Sequence, residues 1–176
     1  MKFLPTSLEG LIEVQATPHL DARGSFARAF CIDEFRAAGI DFKPVQTSIS
    51  TNEAFTLRGL HYRSAPNGEK KLVRAVTGRA FDVAVDLRKG STFGQWHGVE
   101  LSSERMNAIF VPEGFAHGFL ALEQNTTLLY QISPAYEVGS DVGVRWDDPD
   151  IAIAWPAKPQ NMSPNDEKQP FLSDIF

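Results

Sequence analysis

Residues Thr56 to Arg63 carry the most chemistry per residue in the chain: a β-prone run ends in His61, with Arg58 and Arg63 on either side and Gly59 available for a close backbone approach. A loop containing Ala65-Pro66-Asn67-Gly68 follows, and extended structure resumes at Lys70-Lys71-Leu72-Val73. His61 and Lys71 therefore stand at either end of one loop, where a sheet can bring an imidazole and an ammonium to the same mouth. Between Arg58 and Arg79 there are six basic residues and one acidic residue, Glu69, although the chain as a whole is acidic. An imidazole, whose ordinary pKa lies near neutrality, can take a proton and a cation beside it can steady the anion that results. That combination suits proton chemistry on a small anionic substrate. An exposed basic strand with a surface histidine fits the same residues.

The base would need a carboxylate behind it, and the tail offers Asp166 and Asp174. Tyr130 alternates with Leu128 and Ile132, so it reads equally as a core tyrosine or as an acid facing a site. His117, within Gly114-Phe115-Ala116-His117-Gly118-Phe119, reads first as a core histidine satisfied by a partner such as Asp82. Its alternative is a place among substrate-binding residues.

The elements that must position these groups are mostly strands. After two short extended pieces ending at Leu11–Val14, Asp21–Ser25 reads as a turn, followed by strand-like alternation over Phe26–Phe30. The spacing of Ile32 and Phe35 predicts one short helix over Ile32–Ala38, closed by Gly39. Strands are predicted at Val45–Thr51, Ala54–Tyr62, Lys71–Thr77, Arg79–Leu87, Gly98–Leu101, Asn107–Val111, Phe115–Leu122 and Thr127–Ile132. Gly78 between two of them is a hairpin signal. Many short strands with regular turn signals and little helix predict an all-β sandwich or barrel. Beyond Tyr136 the chain is richer in proline and is expected to wrap the barrel as an irregular tail. No repeat or linker divides it, so residues 1–176 are expected to form one domain.

At 176 residues the chain can bury a sizeable core. Its net charge of −5 argues against nucleic-acid or anionic-membrane binding and leaves the local basic stretch for one small anion, such as a pyrophosphate. One cysteine, Cys31, allows no intrachain disulfide and suits a reducing cytoplasm. There is no membrane-length apolar run and no secretory layout at the N-terminus, so a cytoplasmic protein is expected. The four histidines, His19, His61, His97 and His117, lack metal-ligand spacing, and no metal is expected. Neither a nucleophile elbow nor a phosphate-cradling glycine loop is present.

Taken in order, six stretches resemble the dTDP-4-dehydrorhamnose 3,5-epimerase family of cupin-fold enzymes. They are Asp21-Ala22-Arg23-Gly24-Ser25-Phe26, Leu57-Arg58-Gly59-Leu60-His61-Tyr62, Lys71-Leu72-Val73-Arg74, Phe81 to Arg88, Val111 to Phe119, and Arg145-Trp146-Asp147-Asp148-Pro149. The likeness runs from about Asp21 to Asp166. It implies a cupin-type jelly-roll barrel that forms a homodimer, with an N-terminal strand crossing over so that Arg23 and Phe26 serve the neighbouring site. It implies His61 as general base paired with Asp166, Lys71 at the enolate oxygen, and Tyr130 as the acid on the opposite face. Arg58 and Gln46 would hold the pyrophosphate and Tyr136 would pack on the nucleotide sugar. The implied reaction epimerises a nucleoside-diphosphate 4-keto-6-deoxy sugar and uses no metal, flavin or nicotinamide. Arg28 stands where the family usually has Glu, and Ser48 where it has Asn. Exchanging a carboxylate for a guanidinium reverses the local charge, so cytidine or guanosine carriers stand beside thymidine. Inversion at one carbon, 3,4-ketoisomerisation, and a binding module without chemistry are the other readings.

Overall fold

The structure, a computed structural model, describes residues 1–64, 68–137, 139 and 141–176. The loop expected at Ala65–Gly68 therefore lies largely outside the described residues. Strands run in the order β1 (Lys2–Pro5), β2 (Ile12–Gln15), β3 (His19–Asp21), β4 (Gly24–Phe26), β5 (Gln46–Asn52), β6 (Leu57–Arg63), β7 (Lys70–Thr77) and β8 (Arg79–Asp86). They continue with β9 (Trp96–Ser102), β10 (Asn107–Val111), β11 (Phe115–Ala121), β12 (Thr126–Ser133) and β13 (Asp141–Gly143). Helix α1 spans Ile32–Ala37, and a single turn, α2, spans Pro164–Glu167.

Two antiparallel sheets face each other, ordered β1-β2-β10-β7-β12-β5 and β13-β6-β11-β8-β9. From β5 to β12 every step along the chain except β8 to β9 changes sheet. That alternation makes a jelly roll, and it overturns the hairpin expected at Gly78. β7 and β8 lie in different sheets, and Gly78 is the corner between them, at φ +68° with Thr126 Oγ1 2.6 Å from where a Cβ would sit. A turn residue in a local pattern looks the same whether the next strand pairs or crosses over.

Period-two alternation gives each sheet two distinct faces. Val73, Ala75, Ala84, Leu101, Ile109, Phe115, Phe119 and Leu128 fill the space between the sheets. The outer face of the five-stranded sheet, through Leu60, Tyr62, Val83, Val85 and Ala116, packs under the C-terminal segment with Ile151 and Leu172. The outer face of the six-stranded sheet is covered by α1, whose Phe35 is fully buried with Phe42 and Phe110.

Other differences have local causes. The strand expected over Phe26–Phe30 stops at Phe26, because Phe30 turns onto Phe35, 5.0 Å between ring centroids, and joins that aromatic cluster. β6 begins at Leu57 rather than Ala54. β13 was not foreseen, and the tail is not wholly irregular: it holds α2 and a 3-10 turn at Leu172–Asp174. Among the described residues no helix is long and apolar enough to cross a membrane.

Candidate active site

The site forms where β6 and β11 run unusually close. A Cβ at Gly59 would lie 2.6 Å from Gly118 Cα and 2.9 Å from the His117 carbonyl oxygen, and Gly59 has φ +129°, so only glycine suits the position. The register slips at this point: His61 stands opposite His117, while Arg58 stands opposite Phe119. Residues directly opposite share a face. Phe119 packs into the space between the sheets, so Arg58, His61 and His117 are turned inward as well.

The facing sheet supplies the rest. Tyr130 lies opposite Ser48 on one side and Val73 on the other, and Ile132 lies opposite Gln46 and Lys71. Tyr130 packs against the inner core, 6.4 Å from the Phe119 ring, which places Gln46, Ser48, Lys71 and Tyr130 on the inner face. Both walls thus turn their polar groups into one barrel.

A cavity of about 490 Å³ opens beside β6, lined by Arg58, His61, Tyr136, Ser163 and Asp166 among others. Lys71 and Tyr130 are not among the residues that line it. His61 Nε2 is 2.6 Å from Asp166 Oδ1, with the carboxylate nearly inaccessible. Ser163 caps α2 by accepting the Asp166 N–H at 3.1 Å, which fixes the turn that carries the carboxylate. Asp174 is exposed on the 3-10 turn and takes no part.

Burial alone would raise the Asp166 carboxyl. The bond and charge of His61, with the N–H of Gly59 and a bond from Ser163, outweigh it and hold the group below the usual aspartate range. A carboxyl lowered on folding stabilises the fold above its unfolded value, about pH 4, and that contribution is lost as pH falls through the lower folded value. Asp166→Asn should therefore flatten the acid side of the stability curve. Urea unfolding at a series of pH values below about 5 measures it; a variant keeping the wild-type acid slope would remove Asp166 as its source.

Tyr130 is shifted the other way. Burial pushes its phenol well above the ordinary range, and the Ser50 hydroxyl at 2.9 Å and the positive charge of Arg58 offset only part of that. The phenol stays protonated at neutral pH and can act only as an acid there. Lys71 Nζ makes a 2.7 Å ion pair with Glu69, with side chains 15 % and 5 % exposed. His117 Nε2 sits 3.0 Å from both oxygens of buried Asp82, so the core-histidine reading holds. Gln46 Oε1 accepts the Tyr136 N–H at 2.9 Å and its amide reaches Ser48 Oγ at 3.1 Å, tying the rim to β5. Among the described residues no three His, Cys, Asp or Glu side chains gather as ligands for a cation.

Two supporting residues, Ser50 and Asn52, escaped the sequence reading, and Glu69 was named there without a role. Asn52 Oδ1 accepts the Arg58 Nε–H at 2.8 Å, and its amide donates to Ser50 Oγ at 3.1 Å, so Asn52 links Arg58 to Tyr130. Ser50 and Asn52 continue the period-two series Gln46, Ser48, and that continuation was the available signal. Glu69, the single acid in the basic stretch, was visible but had no assigned partner.

Arg23 and Phe26 stand apart from all this. They lie on the β3–β4 hairpin, where every residue of both strands is exposed; Phe26 is 77 % and Leu20 80 % accessible. Among the described residues Arg23 pairs with Asp21 on the same hairpin.

Known proteins share the chain's sequence and its fold. The profile of the dTDP-4-dehydrorhamnose 3,5-epimerase family matches residues 5–174. A protein of that name from Methanothermobacter thermautotrophicus is 46 % identical over 157 residues, covering 88 % of this chain and 84 % of the relative. A dTDP-4-dehydrorhamnose 3-epimerase from Streptomyces niveus is 35 % identical, covering 99 % and 85 %. The crystal structure of a dTDP-6-deoxy-D-glucose-3,5-epimerase from Legionella pneumophila, in complex with dTDP-4-keto-L-rhamnose, superposes with a TM-score of 0.94 at 36 % identity, covering 99 % and 94 %. With its profile matched almost end to end and its jelly roll shared, the chain belongs to the dTDP-4-dehydrorhamnose 3,5-epimerase family.

Proposed function

We propose that this protein epimerises a dTDP-linked 4-keto-6-deoxy sugar, with His61 as base, Lys71 at the ketone oxygen and Tyr130 as the acid of the opposite face. The observation that carries the reading is the 2.6 Å His61–Asp166 pair at the wall of a cavity shared with Arg58 and Tyr136.

Hydrogens on carbons beside a ketone are acidic because the electron pair left behind delocalises onto oxygen. His61 takes such a proton, and the pair moves into the C–C bond to give an enolate. The Lys71 ammonium stabilises charge that develops only along that step, which is where an interaction lowers the barrier. Tyr130 then gives its proton to carbon from the other side, and the imidazolium and phenolate exchange protons with solvent to reset the site. Its raised phenol is suited to the role, holding the proton until a carbanion demands it. Arg58 and Gln46 take the pyrophosphate, Ser48 lies towards the nucleotide, and Tyr136 packs on the carried sugar nucleotide. His117 serves through its bond to Asp82, shaping the sugar end.

The exposed β3–β4 hairpin supports a second copy of the chain as partner. A hairpin with Leu20 and Phe26 in water has no packing of its own, and insertion beside a neighbour's cavity would bury both and deliver Arg23 to the pyrophosphate. Cross-linking and sedimentation of the intact chain test the homodimer.

Incubation in heavy water with dTDP-, CDP- and GDP-linked 4-keto-6-deoxyglucose tests the reaction. Label at C3 and C5 in inverted product from the dTDP sugar is expected; label at one carbon identifies a mono-epimerase, as the Streptomyces niveus relative's name describes. No label from any carrier sinks the reading. Tyr130→Phe should still admit label while inversion falls, because the base remains and the opposite-face donor is lost. Normal inversion by that variant would remove Tyr130 from the role.

A further inference from the structure

The Arg145-Trp146-Asp147-Asp148-Pro149 stretch has no part in the chemistry above, yet Asp148 is 3 % exposed and heavily bonded. Its Oδ1 accepts the N–H groups of Asp150 at 2.9 Å and Ile151 at 3.0 Å, closing its own loop. Its Oδ2 accepts the Leu172 N–H at 2.6 Å, across the chain. Arg145 donates its backbone N–H to the Pro170 carbonyl at 2.9 Å and lays its guanidinium over the Phe171 ring at 5.0 Å, while Asp147 steadies that guanidinium at 2.6 Å. Three consecutive tail residues, 170 to 172, are each held by this one stretch. On the other flank of α2, the Leu57 N–H donates to the Asn161 carbonyl at 2.9 Å and the Gln160 N–H to the Phe55 carbonyl at 2.9 Å.

Asp166 thus rides on a four-residue turn strung between two anchors. A helix that short cannot hold itself. We infer that Asp148 is a positioning residue for the catalytic base: it pins the tail at Leu172 so that α2 presents Asp166 to His61. The inference rests on the roles given above to His61 and Asp166. An asparagine at 148 keeps one acceptor oxygen but turns an N–H₂ towards the Leu172 N–H, donor against donor, which releases that end of the tail.

The test is a double-mutant cycle on the intact protein, following kcat and KM for the dTDP-linked 4-keto sugar alongside thermal unfolding. Asp148→Asn should lower kcat roughly tenfold with KM changed less than about twofold, and its effect on kcat should vanish when Asp166→Asn is already present. Arg145→Ala, a milder release of the same anchor, should act in the same direction and keeps the test alive if Asp148→Asn does not fold. Should either variant lower kcat by the same factor with and without Asp166→Asn, or leave kcat unchanged while folded, the inference is overturned. If Asp166→Asn alone left kcat intact, the dyad reading itself would fall, and the two failures are told apart.

Discussion

Replacing His61 by asparagine is expected to stop both deuterium entry and epimerisation while leaving the nucleotide sugar bound. Asparagine keeps a polar side chain near Asp166 but has no group that accepts a proton from carbon at neutral pH. Positioned acid–base groups contribute about 10²- to 10⁴-fold, and a loss of that size is expected here. Arg58 and Tyr136 remain on the cavity wall, so ligand titration by calorimetry should give near-unchanged affinity. Because the exchange reaction reports the base step alone, it should fall as far as turnover does. A variant that binds ligand and still exchanges would move the base elsewhere.

Lys71 carries the second large effect, and Glu69 determines how it must be measured. Removing one preorganised donor from a developing oxyanion costs about 2.7–4 kcal/mol, or roughly 10²- to 10³-fold in kcat. Lys71→Met alone would also strand the Glu69 carboxylate, 5 % exposed and bonded to Lys71 at 2.7 Å. Stranding a buried charge typically destabilises by about 3–5 kcal/mol. The informative protein is therefore the Lys71→Met, Glu69→Gln double variant, with Glu69→Gln as its reference. It should fold normally by thermal melt and lose kcat by about two to three orders of magnitude relative to that reference. Comparable kcat in the two would leave the oxyanion to another donor.

Much of the site was legible from residue types. A histidine, a lysine and a tail aspartate suggested proton chemistry, with an exposed basic strand fitting the same residues, and the period-two alternation of β12 put Tyr130 on the face of Leu128. What residue types could not say was which aspartate meets His61. Asp166 and Asp174 lie eight positions apart in a proline-rich tail; the family resemblance named Asp166, and the structure brings that carboxylate, not the exposed Asp174, to His61. The bond between Asn52 and Arg58 was hidden for a different reason: its partners are close in the chain, but they sit on consecutive strands that belong to different sheets.

By itself the sequence determined most of the strands from β5 to β12, the one packed helix and the family, because each of these is written in local periodicity or contiguous motifs. Tertiary structure alone decided that Gly78 is a corner and that Glu69 pairs with Lys71, and it gave distances to two partners the sequence had only offered, Asp82 at 3.0 Å from His117 and Asp166 at 2.6 Å from His61. Those depend on which strand crosses to which sheet and on where a tail is pinned. Such choices are settled by burial and by satisfying buried polar groups, which local periodicity does not report.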